Sequence, residues 1–324
     1  MYDRNLRMSE FKVNTAILLL VFNRPKATVK VLDSIRQVRP PRIYVSADGP
    51  RSYIDTDQEK ILSVRKCVLE NIDWDCEMRT CFHDRNLGCG LAVSSAINWF
   101  FKHELEGIIL EDDCIPSISF FRFAEDMLIR YRSDTRVMSI AGTNIQSHEP
   151  VEFSYIFSKF SLMWGWATWR RAWKLYDYHM LEWPRLRQTK WLYSIGLGTL
   201  YFRQTWTLNF DNTCSGNVDT WDYQWIYTCW REHGLTILPS VNLVQNIGFG
   251  SDATHTQKKH PLFMNLEAQQ MTWPLQHPTQ IEVSYESDRF IAQNWFGGSR
   301  IALAKALLAL ALRNIWRIFN KISC

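Results

Sequence analysis

The stretch Gly107-Ile-Ile-Leu-Glu-Asp-Asp-Cys-Ile-Pro116 constrains this chain more than any other. Ile108, Ile109 and Leu110 form a short apolar run, β-branched at its first two positions, which reads as a strand buried on both faces. Three carboxylates follow without a gap, Glu111, Asp112 and Asp113. Pro116 then ends the ladder, and a helical pattern begins near Ser117–Phe121. Three adjacent acids at the end of a buried strand repel one another and lose hydration. A cation removes that cost. Carboxylate oxygens suit Mg²⁺ or Mn²⁺, ions that usually hold a few protein ligands and complete their shell with water and phosphate. The competing reading is an acidic loop that caps the next helix.

The residues before this stretch alternate in period. Ala16–Phe22 reads as a buried strand, Ala27–Arg36 as a helix opened by Pro25, and Arg42–Asp48 as a second strand closing in the turn Asp48-Gly49-Pro50. Asp57–Asn71 reads as a helix and Cys76–Phe82 as a strand. The glycine turn Asn86-Leu-Gly-Cys-Gly90 leads into a helix over Leu91–Lys102. Strand, helix and strand in that order make parallel, right-handed βαβ units, so residues 15–115 are expected to form a doubly wound half. From 116 to 295 the pattern is mixed. Helices are expected over Phe120–Tyr131, Trp169–Tyr176 and Asp219–Glu232, strands over Val137–Ala141, Leu235–Pro239 and Val241–Val244, and loop with strand over Tyr155–Trp164. Gly248–His260 has no period and reads as a loop.

A length of 324 residues is enough for a large core. The net charge of +4 is small and scattered, which excludes nucleic acid as the expected partner. The eight cysteines never take C-x-x-C spacing, and the N-terminus shows no signal-peptide pattern; both point to reduced thiols and a cytoplasmic location. Residues 296–324 read as a separate C-terminal helix. Its apolar run Ile301–Leu312 contains Lys305, and Arg300, Arg313, Arg317 and Lys321 flank it. That is shorter than the roughly 20 apolar residues of a membrane span. It is the composition of a basic amphipathic helix lying on an anionic membrane surface, here through residues 300–324 on the inner face, or of a helix docked on the body.

Four features fall at strand ends on one side of the expected sheet: Asn23-Arg24, Asp48-Gly49, the glycine turn, and Glu111-Asp112-Asp113. Together with Val21-Phe-Asn-Arg24, Val45-Ser-Ala-Asp48, Leu110-Glu-Asp-Asp113, Trp164-Gly-Trp166, Trp221-Asp222, Gly248-Phe-Gly250 and Thr254-His255, the chain resembles GT-A nucleotide-sugar glycosyltransferases. The N-acetylglucosaminyltransferase I type is the nearest, and the first half is also similar to family 2 transferases. The resemblance covers about residues 15–260. It implies an α/β GT-A fold, a Rossmann-like nucleotide-binding half and a mixed-sheet acceptor half within residues 1–295.

The resemblance also implies roles. Asn23, Arg24 and Asp48 would bind the donor, Arg24 and Asp48 at its uracil end. Asp113 would bind Mn²⁺ or Mg²⁺, with Asp112 on the metal or the ribose, and Glu111 would orient a donor hydroxyl or support the metal loop. His255, in the loop, would reach the diphosphate or the metal. The substrates would be a nucleotide diphosphate sugar, UDP-linked, and a glycan or lipid-linked acceptor in surface polysaccharide synthesis. Inversion needs a general base, and Asp219 and Asp222 are the candidates. Asp222 matches the family's Trp-Asp-Asp-Trp segment, although Tyr223-Gln224 replaces its second acid. Asp219 also suits a simple N-cap. Trp166, beside Gly165, is expected to offer a face to a sugar, whereas Trp169 and Trp173 read as core. The alternatives are a nucleotidyltransferase, against which Asn23-Arg24-Pro25 lacks a glycine loop, and a non-catalytic glycan- or membrane-binding protein.

Overall fold

The computed structural model describes residues 11–146, 152–249 and 266–297, with Ala304 and Leu308. They form two compact units, one drawn from residues 1–178 and 220–283, the other from 179–219 and 284–324.

The first unit is built on one sheet. Strand β1 (Ile17–Val21) is five buried aliphatic residues, each removing about 1.5–3 kcal/mol of side chain from water. Helix α1 (Pro25–Val38) starts on Pro25, buries Val31, Leu32, Ile35 and Val38, and stops at Arg39 with a left-handed φ of 41°. Then follow β2 (Arg42–Ala47), α2 (Asp57–Asn71), β3 (Glu77–Phe82), α3 (Cys89–His103) and β4 (Glu106–Glu111). The strand–helix alternation expected before residue 115 is what the chain forms, with α3 beginning two residues earlier at Cys89. The later elements are β5 (Cys114–Pro116), α4 (Ile118–Arg130), β6 (Val137–Ala141), β7 (Tyr155–Ser158), β8 (Trp166–Trp169) and α5 (Arg170–Trp173). The second unit holds α6 (Trp183–Leu186), α7 (Trp191–Ile195) and α8 (Leu200–Cys214). The chain then returns with α9 (Asp222–Arg231), β9 (Leu235–Pro239) and β10 (Val244–Asn246), and ends in α10 (Tyr285–Asn294) of the second unit.

The eight strands run in the order β3-β2-β1-β4-β8-β6-β9-β7. β3, β2, β1 and β4 are parallel, β8 is antiparallel to both β4 and β6, and β7 is antiparallel to β9. The architecture is therefore α/β, a doubly wound parallel half continued by a mixed half. The sheet crosses the expected boundary at 115/116 without a break, because β4 hydrogen-bonds β8. A separate pair, β10 with β5, lies at the end of β4.

The second unit is helical. Its α8 buries Phe202, Trp206 and Phe210, and the indole Nε1–H of Trp206 donates to the carbonyl of Phe296 at 2.8 Å. Ser284 caps α10 by accepting from the Ser287 N–H. The helices over 183–214 have no counterpart in the expectations from sequence. No helix among the described residues is long and apolar enough to cross a membrane. The basic tail helix expected over 296–324 lies outside the described residues apart from Phe296, Gly297, Ala304 and Leu308.

Candidate active site

β1 lies between β2 and β4, with Val21 beside Ala47 and Leu20 beside Glu111. That register brings Asn23-Arg24, Asp48 and Glu111-Asp112-Asp113 to one carboxyl edge of the sheet, where open α/β sheets bind ligands. Segment 244–249 closes one side. β10 pairs Asn246 with Cys114, and the Ile247 N–H donates to the Asp113 carbonyl at 2.8 Å. Gly248 is required there, because a Cβ at that position would collide with the Asp113 carboxylate.

The acids are held from several directions. The Phe22 N–H donates to Asp112 Oδ2 at 3.0 Å. Arg24 Nη1 lies 2.5 Å from Asp113 Oδ2 and 3.7 Å from Asp112 Oδ1. Burial and the neighbouring Asp113 push Asp112 up to about 7, against the pull of Arg24 and the Phe22 N–H. Burial raises Glu111 too, assisted by the charges of Asp113, Asp112 and Asp222 and opposed by Arg24. The charge of Asp222, 111 positions later in sequence, contributes to the field at Glu111.

Asp222 opens α9, half-buried. Its Oδ1 accepts from the Thr220 hydroxyl in a short hydrogen bond and from the Tyr223 N–H at 2.9 Å. Tyr176 donates its hydroxyl to the Trp221 carbonyl at 3.0 Å, immediately before Asp222. Asp219 is exposed and falls in the second unit, in the irregular stretch after α8.

Asp48 is buried and fully engaged with its own chain. Oδ1 accepts from the Gly49 and Leu87 N–H groups at 2.8 and 2.9 Å, and Oδ2 from Asn86 Nδ2 at 2.8 Å. Burial holds its carboxyl above the usual range even with these donors. Its observed work is to fix the turn Asn86–Gly88 ahead of α3. Asn23 turns to Asp57, donating at 2.9 Å, and Arg51 grips the same carboxylate at 2.5 and 2.9 Å. The Arg51 guanidinium lies 5.2 Å above the Phe22 ring. None of Phe22, Arg51, Asp57 or Thr220 was marked as a site residue from sequence. The Thr220-x-Asp222 spacing is the one local signal that would have found any of them.

One expectation is corrected. Trp166 is 1 % exposed and stacks at 5.5 Å on Trp221, with Trp225 and Trp173 packed beside it. Other indoles cover the face that was expected to meet a sugar, so Trp166 is core. Trp164, on the other side of Gly165, is half-buried and meets Phe249 edge-on at 5.3 Å. Gly165 itself has φ of 64°, and a Cβ there would press on Val244. The Arg24 guanidinium is engaged with the acids expected to hold the metal. His255 lies outside the described residues.

No protein-family model matches this chain, and no curated protein matches it. Among solved structures, the mannosyltransferase PcManGT from Pyrobaculum calidifontis, in complex with GDP-Man and Mn2+, aligns with a TM-score of 0.33 and 12% identity. That alignment covers 50% of this chain and 46% of the other. GalNAc-T7 with UDP, GalNAc and Mn2+ aligns with a TM-score of 0.39 and 11% identity, over 70% of this chain and 43% of its own. The match spans less than half the length of either protein. Both likenesses are weak, and the architecture is read from the strand order itself.

The donor set suits a hard divalent ion. Among the described residues no three His, Cys, Asp or Glu side chains close round an ion by themselves. Asp112 and Asp113 offer carboxylate oxygens next to Glu111, with Arg24 paired to both. One or two carboxylates with water and phosphate oxygens is how Mg²⁺ is usually held, and Mn²⁺ takes the same oxygen donors.

Proposed function

We propose that this chain is a metal-dependent glycosyltransferase of the GT-A type that moves a sugar from a nucleotide diphosphate, UDP-linked, with inversion. The observation that carries the reading is the register that sets the successive acids Glu111, Asp112 and Asp113 at the carboxyl edge of β4, with Arg24 paired to Asp113 and Asp112. A site short of positive charge suits a substrate that arrives as a metal diphosphate. Asp113, with Asp112, would hold Mn²⁺ or Mg²⁺, whose bound charge offsets the charge developing on the departing nucleotide diphosphate. Asn23, Asp48 and Glu111 would line the donor, Glu111 toward the sugar.

Asp222 is the base of choice over Asp219, because it is half-buried at the start of α9 and its charge bears on Glu111, while Asp219 is exposed. The Thr220 hydroxyl and the Tyr223 N–H fix its carboxylate. It would take the proton from an acceptor hydroxyl as that oxygen bonds to the anomeric carbon and the bond to the phosphate oxygen breaks. The excess acid also accounts for a hydroxyl acceptor, which a carboxylate base can deprotonate in the transition state. We assign the acceptor to a glycan or lipid-linked sugar at the inner membrane face, on the strength of the basic residues 300–324. Deleting those residues should lower the fraction bound to anionic vesicles; unchanged partitioning overturns that assignment.

The central test is calorimetric titration of UDP into the metal-free protein, with and without Mn²⁺, repeated on Asp113→Ala. Metal-dependent binding that the substitution removes, followed by turnover of a UDP-sugar, is the expected result. No binding of UDP, GDP or CDP to folded protein under either condition would overturn the reading.

A further inference from the structure

We propose that Arg24 is the resident counter-cation of the acid cluster in the metal-free protein, and that its guanidinium leaves Asp113 when metal and nucleotide diphosphate bind. The inference rests on the transferase reading for the identity of the incoming ligand, but its geometry is independent of it. Arg24 Nη1 is 2.5 Å from Asp113 Oδ2 and 3.7 Å from Asp112 Oδ1, and the three side chains are 19%, 15% and 9% exposed. Charges this sheltered are screened far less than surface pairs. A guanidinium and a divalent ion cannot share one carboxylate oxygen at this range without strong repulsion.

The acids are held by the backbone around them. Asp112 Oδ2 is held by the Phe22 N–H, the Asp113 carbonyl accepts from the Ile247 N–H, and Gly248 lies close against the Asp113 carboxylate. The Arg24 backbone is also fixed: its carbonyl accepts from the N–H groups of Ala27 and Thr28 at 3.1 and 3.0 Å and from the Thr28 hydroxyl at 2.9 Å. The exchange therefore moves the long Arg24 side chain and leaves both backbones in place. A diphosphate gives the displaced guanidinium a new bidentate partner.

Two consequences follow by linkage. Metal alone binds weakly, because it must displace Arg24 without offering it a partner. Nucleotide then strengthens metal binding, and metal strengthens nucleotide binding by the same factor. Arg24 is thus a positioning residue that couples the two ligands, so that neither fills the site alone.

The experiment measures Mn²⁺ binding to the full chain by the loss of the free-ion EPR signal, with and without UDP, and with GDP in parallel. In the unsubstituted protein the nucleotide should tighten Mn²⁺ binding by roughly tenfold or more. In Arg24→Gln, Mn²⁺ alone should bind roughly tenfold or more tightly than before, and the effect of nucleotide should shrink toward none. Arg24→Lys, which keeps the charge, should stay near the unsubstituted behaviour. Equal binding of nucleotide-free Mn²⁺ by the Gln variant and the unsubstituted protein would overturn the inference and leave the transferase reading standing. No Mn²⁺ binding to either protein, with or without nucleotide, would overturn both. A second measurement avoids any folding defect of the variant. Side-chain ¹⁵N spectra of the unsubstituted protein should show the Arg24 guanidinium signals shift when Mg²⁺ and UDP are added together. Signals unmoved at saturation would overturn the exchange.

Discussion

Two sheltered arginine–aspartate pairs of the first unit, Arg51–Asp57 and Arg24–Asp113, are opposite in electrical balance. Arg51 meets Asp57 at 2.5 and 2.9 Å, Asn23 donates a third hydrogen bond, and the Asp57 carboxyl is held below the usual range chiefly by Arg51. Arg24 meets Asp113 at the same 2.5 Å, yet Asp112 and Glu111 beside it are pushed up by burial and by each other's charge. One arginine closes its account with one acid, whereas the other meets Asp113 and Asp112 with Glu111 next to them. Geometry alone does not separate structural from functional pairs here; the ratio of acids to cations does. The balanced cluster needs nothing further, and the unbalanced one is stabilised by any cation that can reach it.

The comparison breaks most visibly at the unbalanced pair. Asp113→Asn should lower kcat about a thousandfold or more and abolish Mn²⁺-dependent nucleotide binding, with the circular dichroism spectrum retained. If turnover survives, the acid cluster is not the metal site. Asp222→Asn should come next, with kcat down about 10²–10⁴-fold while nucleotide affinity holds, which separates base from donor site. Asp219→Asn should leave both constants near their original values; a large loss there would exchange the two assignments.

Stability tests the balanced pair. Arg51→Met leaves Asp57 buried with Asn23 as a remaining side-chain donor, and should cost about 3 kcal/mol in denaturant unfolding at pH 7. Because the folded carboxyl is depressed, its contribution is present above the unfolded pKa, near 4, and is lost as pH falls through the folded value. The gap between Arg51→Met and the unsubstituted protein should therefore narrow below about pH 4. The smallest effect is expected at Asp126, which burial raises to about 6. A carboxyl raised by folding costs stability once both states ionise, so Asp126→Asn should stabilise modestly above pH 6 and have no such effect near pH 4. Thermal unfolding at the two pH values checks the sign.

The two units also differ in how far their structure could be read in advance. From β1 to β4 each element shows its own period: Ile17–Val21 is wholly apolar, and α1 places Val31, Leu32, Ile35 and Val38 on one side. In α8 the buried set is Phe202, Thr205, Trp206, Phe210 and Thr213, so polar threonines interrupt the apolar stripe and its period is lost. Aromatic density misled as well. Trp166 beside a glycine suggests a sugar platform, but Trp221, 55 positions on, lies flat against it. Asp48 at a strand end suggests a donor ligand, and its bonds to Asn86 and the Leu87 N–H, 38 and 39 positions on, are not legible locally.

What the sequence by itself determined is local: the alternation of periods before residue 115, the buried run Ile108–Leu110, the acids that end it, and Asp222 at a helix start. These follow from chain-local physics, since burial pattern, turn chemistry and capping act within a few residues. The tertiary structure alone decided which charges meet. Arg24 reaches Asp113 across 89 positions, Arg42 reaches Glu104 across 62, and antiparallel β8 next to β4 brings Trp166 under Trp221. Electrostatic balance is set by distance in space and by exclusion of water, and neither is a property of sequence neighbours.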